Sequence, residues 1–367
     1  MGIKQISDRP IRTGTTSTAF DDEIRAMVEA RKTNIKVVGC GGAGGNTVTR
    51  LMQVGIIGAE TIALNTDALD LLNTEADKKL VIGKELTQGL GAGANPNVGM
   101  EAAKESKEEI KKLLQGADMV FITCGLGGGT GSGSSPVVAD IAKKMGALTV
   151  AIVTLPFAME GRQRMGNARE ALKNMDGLVD TLIVIPNDKL LEIVPDVSII
   201  TAFKVADEIL VNAVKGVTEL VTKPGLVNLD FADVRAVMKE GGLAMIGMGE
   251  SNSENKAFES VERALNNPLI TVDINGADGA LINVVGGPEI TIREAQQIAE
   301  TISSKLSPEA KIIWGVQVDK SLGDTVRTLL VVTGVKSPQI FSPDKPWEKQ
   351  RKKDIEKILG VDFVDVR

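Results

Sequence analysis

From residue 34 onward the chain alternates short apolar runs of strand length with longer segments that have helical spacing. The apolar runs are IKVV, TIAL, KLVI, MVFITC, ALTVAIVT and TLIVI, and segments such as 97–115 and 161–175 lie between them. Alternating strands and helices favour a mainly parallel sheet that is covered on both faces. The pattern predicts an α/β domain over residues 34–200, with ligands expected at the carboxyl ends of its strands.

The segment from Thr201 to Thr222 predicts one long helix. Its apolar residues recur at steps of three to five, and no proline interrupts the segment before Pro224 and Gly225. Roughly twenty helical residues rise about 1.5 Å each, so the two ends lie on the order of 30 Å apart. Chemistry that needs residues from both ends therefore needs a second copy of the chain.

The remaining segments differ in composition. Residues 1–33 are polar and then charged, and we interpret them as an N-terminal arm with a possible short helix at 21–32. Residues 223–241 predict a loop and a following helix. Residues 242–335 contain strand-like runs and two helices, 255–265 and 292–306, typical of a smaller α+β domain with Trp314 in its core. Residues 336–367 are rich in proline and charge and predict a flexible tail.

The amino-acid composition limits the kinds of catalytic site and binding partner that the chain can have. The 367 residues include no histidine, which excludes Ser-His-Asp and Cys-His sites and histidine metal ligands. Cys40 and Cys124 each end an apolar run, so we expect buried free thiols. The net charge of −6 gives no general attraction to nucleic acid, and no apolar run approaches the roughly 20 residues of a membrane span. We therefore expect a cytoplasmic protein that neither binds nucleic acid nor inserts into a membrane.

Two of three glycine-rich loops leave several functions open. GCGGAGGN at 39–46 opens a helix whose free amides could hold a phosphate. It also satisfies the Rossmann pattern G-x-G-x-x-G, with Asp67 at about the distance of a ribose-binding acid, so a dinucleotide site and a simple tight turn both remain open. GLGAGANP at 89–96 fits either a mobile lid over a terminal phosphate or a disordered surface loop.

The third loop indicates a nucleotide-binding protein. GLGGGTGSGSSP at 125–136 follows a buried strand and places amides and small hydroxyls where a closely approaching polyanion needs them. A purely structural role is disfavoured because each glycine costs backbone entropy on folding. No G-x-x-x-x-G-K-[ST] motif occurs, so we assign no lysine to the phosphates.

The motif GGGTGSG at 127–133 resembles the signature of the tubulin and FtsZ superfamily of polymerising GTPases. The similarity to the FtsZ family covers nearly all of residues 34–335 and includes NTDALDL, GLGAGANP, TLPFAMEGRQR, PNDKLL, AFKVADE and NLDFADVRAVM in order. It implies a Rossmann-like GTPase domain joined by the long central helix, 201–222, to the smaller domain. It also implies GTP or GDP as ligand, with Mg²⁺ carried on the phosphates and no direct metal ligand from the protein.

The resemblance also assigns residues to the nucleotide. Glu160 and Arg164 would contact ribose and phosphate, and Asn187, Phe203 and Asp207 would contact guanine, with Phe203 stacking. A carboxylate at Asp207 can accept from guanine N1–H and its exocyclic amine, a donor pair that adenine lacks. Without the resemblance, Phe203 is typical of a core and Asp207 of a solvated helix. The glycine loops and their surroundings would supply the rest of the site: Gly41, Gly42, Ala43, Gly44, Gly45, Asn46, Asn65, Asp67, Ala92, Gly93, Ala94, Gly128, Gly129, Thr130, Gly131 and Ser132.

An acidic loop follows the central helix. Local pattern makes Asp230 a candidate helix N-cap. The resemblance instead assigns Asp230 and Asp233 to the water that attacks the nucleotide of the next subunit, with Asn228 assisting at the junction. Contact between opposite ends of two copies repeats without closing and builds filaments. The implied protein is a GTPase that assembles head-to-tail into a division ring at mid-cell, with hydrolysis dependent on assembly.

The tail departs from bacterial members of the family and is closer to archaeal forms. Its last residues, VDFVDV, alternate apolar and acidic, typical of a peptide that adds to a partner's sheet edge or groove, and residues 347–359 have the pattern of a short helix. We expect a membrane anchor or regulator of the division ring to bind here, while a solvated tail remains an alternative. Other functions left open are an NAD-dependent oxidoreductase, a tubulin-like regulator of cell shape and a binding-only scaffold.

Overall fold

The structure of the protein, a computed structural model, describes residues 33–193, 198–223, 226–227, 229–267, 269, 274 and 277–335. The predicted N-terminal arm, the tail with its terminal peptide, and Asn228 lie outside these residues.

Ten strands form one sheet in the described part of the chain. They are β1 Ile35–Cys40, β2 Ala59–Asn65, β3 Lys78–Val81, β4 Met119–Gly125, β5 Leu148–Leu155, β6 Thr181–Pro186, β7 Gly242–Ser251, β8 Gly279–Gly286, β9 Lys311–Val318 and β10 Val326–Thr333. Their spatial order is β3-β2-β1-β4-β5-β6-β7-β10-β8-β9. Every neighbouring pair from β3 to β7 is parallel, β10 is antiparallel to both β7 and β8, and β9 is parallel to β8. The predicted mainly parallel sheet is confirmed.

The described helices connect these strands. They are α1 Gly41–Gln53, α2 Ala68–Asn73, α3 Lys84–Thr87, α4 Pro96–Glu105, α5 Lys107–Leu114, α6 Thr130–Lys144, α7 Arg162–Met175, α8 Asn187–Ile193, α9 Ile199–Thr222, α10 Phe231–Met238, α11 Lys256–Leu265 and α12 Ile292–Ser303. Short 3₁₀ helices cover Ala158–Glu160 and Lys320–Leu322. None of these helices is long and apolar enough to cross a membrane.

The sheet is buried on both faces, which explains why its strands are continuous apolar runs. Successive side chains of a strand point to opposite faces, so Val37 joins one buried cluster and Val38 the other. The cluster around Val37 contains side chains of α1, α9 and α10. The cluster around Val38 contains side chains of α4 to α7 together with α11 and α12. The two predicted helices of the smaller domain therefore cover one face, while α9 and α10 cover the other.

The long central helix is confirmed and begins two residues earlier than predicted. It has 24 residues from Ile199 to Thr222, which gives a length of about 36 Å. The Ser198 side chain caps its start by accepting from the Thr201 amide at 3.2 Å. Its apolar stripe, including Leu210, Val214 and Val217, is buried against the sheet.

Other predicted features are corrected or confirmed. The segment with helical spacing at 97–115 is helical but divides into two helices, α4 and α5, at Ser106. The Ser106 backbone has φ −92° and ψ 19°, and its buried hydroxyl accepts from the Gly83 amide of a distant loop at 3.1 Å. Trp314 is only partly buried and packs against the core. Cys40 and Cys124 are buried free thiols as predicted, and burial raises the pKa of Cys124 to about 12.

Candidate functional site

The strand order places a crevice between β1 and β4. From β1 the chain proceeds outward through β2 and β3, and from β4 it proceeds in the opposite direction through β5 and β6. Ligands of open parallel sheets bind where the strand order reverses in this way. The first and third glycine loops follow β1 and β4 and therefore lie on either side of the crevice.

The two loops touch through Gly41. This glycine has a φ of +71°, and a Cβ added to it would lie 2.9 Å from the Gly131 amide nitrogen and 3.3 Å from Thr130 Cβ. A side chain at this position would separate the loops. Gly41 begins α1 and Thr130 begins α6, so the N-termini of two helices meet at the crevice.

Neither helix start is capped by a side chain. Cys40 precedes α1 and Gly129 precedes α6, neither makes a side-chain cap hydrogen bond, and neither first turn contains an acidic residue. The first amides of a helix have no partner within the helix and favour an anion. Nearby α2 and α4 are instead capped by Asp67 and Asn95. The arrangement therefore fits a polyphosphate held between α1 and α6.

The second glycine loop packs along the third. A Cβ on Gly129 would lie 2.8 Å from Ala92 Cβ and 2.8 Å from the Asn95 amide nitrogen. The Asn167 side-chain amide donates to the Ala94 carbonyl at 3.2 Å and to the Gly127 carbonyl at 3.3 Å, which links the two loops. Gly93 and Ala94 are exposed. This places the candidate lid beside the phosphate loops.

Several predicted site residues shape the loops through their own side chains. Asp67 Oδ1 accepts from the Leu69 and Asp70 amides, both at 3.0 Å, so the candidate ribose acid caps α2. Asn65 donates to Asp70 Oδ2 at 2.7 Å, and Ser132 Oγ accepts from the Gly127 amide at 2.8 Å.

The other predicted loop residues complete the surface of the crevice. Thr130 Oγ1 lies 2.6 Å from Thr66 Oγ1, a partner that the sequence did not indicate. Gly42, Ala43 and Asn46 are exposed, Gly44 and Gly45 are buried in the start of α1, and a Cβ added at Gly128 would meet nothing within 4 Å.

The base-contact candidates lie at the start of α8 and α9. Phe203 is 41% exposed and packs edge-to-face on the buried Phe157, with ring centroids 5.2 Å apart. Asn187 is buried, and its Oδ1 accepts no hydrogen bond from the described residues. Burial raises the pKa of the half-buried Asp207 to about 6, and the charge of Glu208 adds to the shift.

The loop after β5 connects these two parts of the site. Glu160 Oε1 accepts from the Phe157 amide at 2.9 Å, and the other Glu160 oxygen pairs with Arg164. The Arg164 carbonyl lies beside Gly127, at 2.9 Å from the position of an added Cβ. Phe157 is a further residue that the sequence did not indicate. The first and third glycine loops, the Glu160–Arg164 pair and the base-contact candidates therefore form one connected surface.

This surface offers acceptors to a base and donors to phosphates. The unpartnered Asn187 oxygen and the Asp207 carboxylate match the donor edge of guanine, whereas that edge of adenine presents an acceptor. No group of three or more acidic or cysteine side chains among the described residues could hold a metal ion.

The acidic loop lies at the other end of α9. Asp230 Oδ1 accepts from the Asp233 amide at 2.9 Å, and Asp233 Oδ2 accepts from the Asp230 amide at 3.3 Å, a reciprocal capping box for α10. The predicted N-cap role of Asp230 is thus confirmed. Phe203 and Thr222 are separated by about 28 Å along the helix axis. One copy of the chain does not bring the acids to its own crevice.

Known proteins resemble this chain over most of its length. The tubulin/FtsZ family GTPase domain matches residues 34–195, and the FtsZ family C-terminal domain matches residues 242–336. Cell division protein FtsZ 1 of Thermococcus kodakarensis is 63% identical over 323 residues, covering 88% of this chain and 86% of that protein. FtsZ 1 of Methanocaldococcus jannaschii is 62% identical over 317 residues, covering 86% and 87%.

A solved structure has the same fold. The empty FtsZ dimer of M. jannaschii superposes with a TM-score of 0.83 at 61% identity, covering 87% of this chain and 93% of that chain. The predicted architecture is therefore confirmed. It consists of a domain with a mainly parallel, Rossmann-like sheet, joined by a long helix to a smaller domain.

Proposed function

Because the chain belongs to the FtsZ family of cell-division proteins within the tubulin/FtsZ GTPases, we propose that it binds and hydrolyses GTP in head-to-tail filaments. The crevice between β1 and β4 binds the nucleotide of its own copy. Asp230 and Asp233, with Asn228, come from the adjacent copy and complete the hydrolytic site.

The observation that carries the binding proposal is the meeting of two uncapped helix starts at Gly41. Their free amides suit the diphosphate, to which we also assign Thr130, and we assign the terminal phosphate to Ala94 in the neighbouring loop. Phe203 offers an exposed ring for stacking, while Asp207 and the unpartnered Asn187 oxygen accept from guanine. Magnesium on the phosphates would neutralise charge that develops during transfer.

The hydrolytic proposal needs only positioning from the acidic loop. A loose phosphoryl transition state depends on placing the water and stabilising charge, so a strong general base is unnecessary. Asp230 and Asp233 hold each other in one geometry through their capping box. That geometry is suited to orienting a water on a neighbouring nucleotide.

Exposed apolar side chains at both ends support self-association. Leu69, Leu72 and Leu90 are 71%, 72% and 84% exposed beside the glycine loops. Leu226 and Val227 are 64% and 38% exposed beside the acidic loop, where the Leu226 amide donates to the Val316 carbonyl at 2.8 Å. Exposed apolar groups at two opposite ends favour a heterologous contact between copies. Nucleotide state and assembly are then linked binding events.

At the level of the cell, this activity places the protein in the cytoplasm, in the division ring at mid-cell. The tail, 336–367, is the proposed site for a membrane anchor or regulator. Two observations disfavour the NAD-dependent oxidoreductase: Asp67 is engaged as a helix cap, and the chain has no histidine to act as a catalytic base. A tubulin-like regulator of cell shape is disfavoured by the match to the FtsZ C-terminal domain.

The proposal is tested by Asp233→Ala with Glu294→Ala as a matched control. Glu294 has the same position in the capping box of α12, where it accepts from the Thr291 amide at 2.7 Å. Each variant should lose roughly 0.5–1.5 kcal/mol of stability, because the hydrogen bond from its side chain to the N-cap amide is lost while the N-cap bond remains. Only Asp233→Ala should lose GTP turnover, and its GTP affinity should stay within about threefold.

Two results would contradict the shared site. Loss of GTP binding in Asp233→Ala would place the acidic loop at the crevice of its own chain. Equal loss of turnover in Glu294→Ala would mean that turnover is lost because helix capping is weakened, and not because the acidic loop takes part in hydrolysis. Turnover per subunit should also rise with protein concentration, and a flat dependence would mean that a single copy hydrolyses GTP alone.

A further inference from the structure

One ion pair joins the phosphate-binding helix to the base-contact helix. Arg50 lies in the last turn of α1, and its Nε donates to Glu208 Oε1 at 2.8 Å. The Arg50 Nη2 contacts the same oxygen. Glu208 is the next residue after Asp207 on α9. The pair therefore connects the helix that begins at Gly41 with the turn that carries the guanine-reading carboxylate.

Glu208 is the charged neighbour that acts on Asp207. On α9 itself the other nearby charge is Lys204, and the packed elements contribute Arg50 from α1 and Asp188 and Lys189 from α8. The loop after β5, whose Phe157 packs on Phe203, adds Glu160 and Arg164. Strands β5 and β8 contain no charged residue, while β9 and β10, which contact later turns of α9, contain Lys311 and Arg327. After burial, repulsion from Glu208 is the second cause that raises the pKa of Asp207.

A contribution to folding stability does not explain why Arg50 and Glu208 form an ion pair. The Arg50 and Glu208 side chains are 44% and 42% exposed, and an exposed ion pair adds little to folding. A cation held against Glu208 does, however, offset the negative potential that Glu208 creates at the adjacent carboxyl. The effect is local because water and salt screen it over longer distances.

We propose that Arg50 is a positioning residue for base recognition, which acts by holding the charge of Glu208 in an ion pair so that the Asp207 carboxylate stays available to guanine. The inference rests on the proposed role of Asp207 in GTP binding. It gives the two partners of one ion pair opposite effects on nucleotide affinity. Arg50 supports binding, and Glu208 opposes it.

The test is the pH dependence of GTP affinity in the full-length protein, measured by calorimetric titration from pH 5 to pH 8. Affinity of the parent protein should fall as the pH drops through about 6, because protonated Asp207 no longer accepts both guanine donors. Arg50→Met should move this midpoint upward by about half a pH unit, and Glu208→Gln should move it downward by a similar amount. At a pH below the midpoint, Arg50→Met should therefore bind GTP roughly threefold more weakly than the parent protein, and Glu208→Gln roughly threefold more tightly.

Matched variants separate this effect from a structural one. Lys104→Met removes another exposed ion pair, with Glu101 on α4, and should leave the midpoint unchanged. The double variant of Arg50 and Glu208 should behave like Glu208→Gln alone. If the pair is merely structural, both single variants will weaken GTP binding in the same direction, and that result would overturn the proposal, as would two unmoved midpoints.

Asp207→Asn distinguishes failure of this inference from failure of the proposed function. Loss of GTP affinity and of the pH transition in Asp207→Asn supports base reading by this residue. If Asp207→Asn shows that loss, but the pH midpoints of the Arg50 and Glu208 variants move in the same direction or do not move, only the role of Arg50 is refuted. If Asp207→Asn binds GTP like the parent protein, the base-reading role is wrong and the inference falls with it.

Discussion

Replacing Gly41 with alanine tests whether contact between the two phosphate loops creates the nucleotide site. Gly41 and Gly55 lie at opposite ends of α1 and have nearly the same positive φ, +71° and +70°. An added Cβ at Gly41 would lie 2.9 Å from the Gly131 amide nitrogen, whereas one at Gly55 would meet nothing within 4 Å. Gly55→Ala is therefore a matched control for backbone strain without the clash.

The expected magnitudes differ for stability and binding. A left-handed alanine costs roughly 1–2 kcal/mol, so both variants should lose about that much in urea unfolding. Only Gly41→Ala must also push Gly131 away by roughly half an ångström to reach an ordinary contact distance. A hydrogen bond to a charged group contributes about 1.5–3 kcal/mol, so misplacing one or two phosphate donors should weaken GTP binding at least about tenfold.

The assay is calorimetric titration of GTP and GDP into both variants, with urea unfolding of each. Gly55→Ala should bind both nucleotides within about threefold of the parent protein. The reasoning is refuted if Gly41→Ala also binds GTP within that range, or if both variants lose affinity equally. The first result would separate the loop contact from the site, and the second would attribute the loss to general destabilisation.

Further predictions concern the base, the assembly surface and the tail. Asp207→Asn should lose at least about 100-fold in GTP affinity and prefer XTP, because its amide can donate to the xanthine C2 carbonyl; equal affinity for both nucleotides would contradict base reading. Leu72→Glu, a 72% exposed side chain on α2, should abolish sedimentation of GTP assemblies without changing GTP affinity, whereas Phe258→Glu, a 44% exposed side chain on α11, should sediment normally. If Leu72→Glu still sediments, this leucine does not lie in the filament contact. Removing 336–367 should leave turnover per subunit within about twofold, and a collapse in rate would mean that the tail is part of the folded body.

The strands and the long helix were predictable because their signals are local. Strands buried on both faces are apolar at most positions, so the runs around Val37 and Phe121 stand out in the sequence. The Asp230 cap was also predictable, since both partners of a capping box lie within four residues. By contrast, helical spacing did not indicate the break at Ser106, whose hydroxyl accepts from the distant Gly83 amide, a contact that no sequence pattern reveals.

Only the parts of the site that have a characteristic spacing of glycines were predictable from the sequence. Thr66, Phe157 and Asn167 were missed because each acts through a partner more than 40 residues away in sequence. Thr66 and Phe157 lie within motifs shared with the family, but the motifs did not indicate these contacts. The unpartnered Asn187 oxygen and the raised pKa of Asp207 arise from burial, which only the folded chain defines. Sequence therefore locates the phosphate loops better than the groups that recognise the base.

The shared hydrolytic site is tested most directly by mixing two variants, Asp207→Asn and Asp233→Ala, and measuring phosphate release from GTP. Each should be nearly inactive alone, since one lacks the guanine contact and the other lacks an acid of the loop. Where an Asp207→Asn copy stacks on a GTP-bound Asp233→Ala copy, the junction contains both intact ends, so the mixture should recover turnover that increases with total concentration. A mixture that stays inactive although the two variants sediment together, or a dilute single copy that hydrolyses GTP at the full rate, would contradict the account.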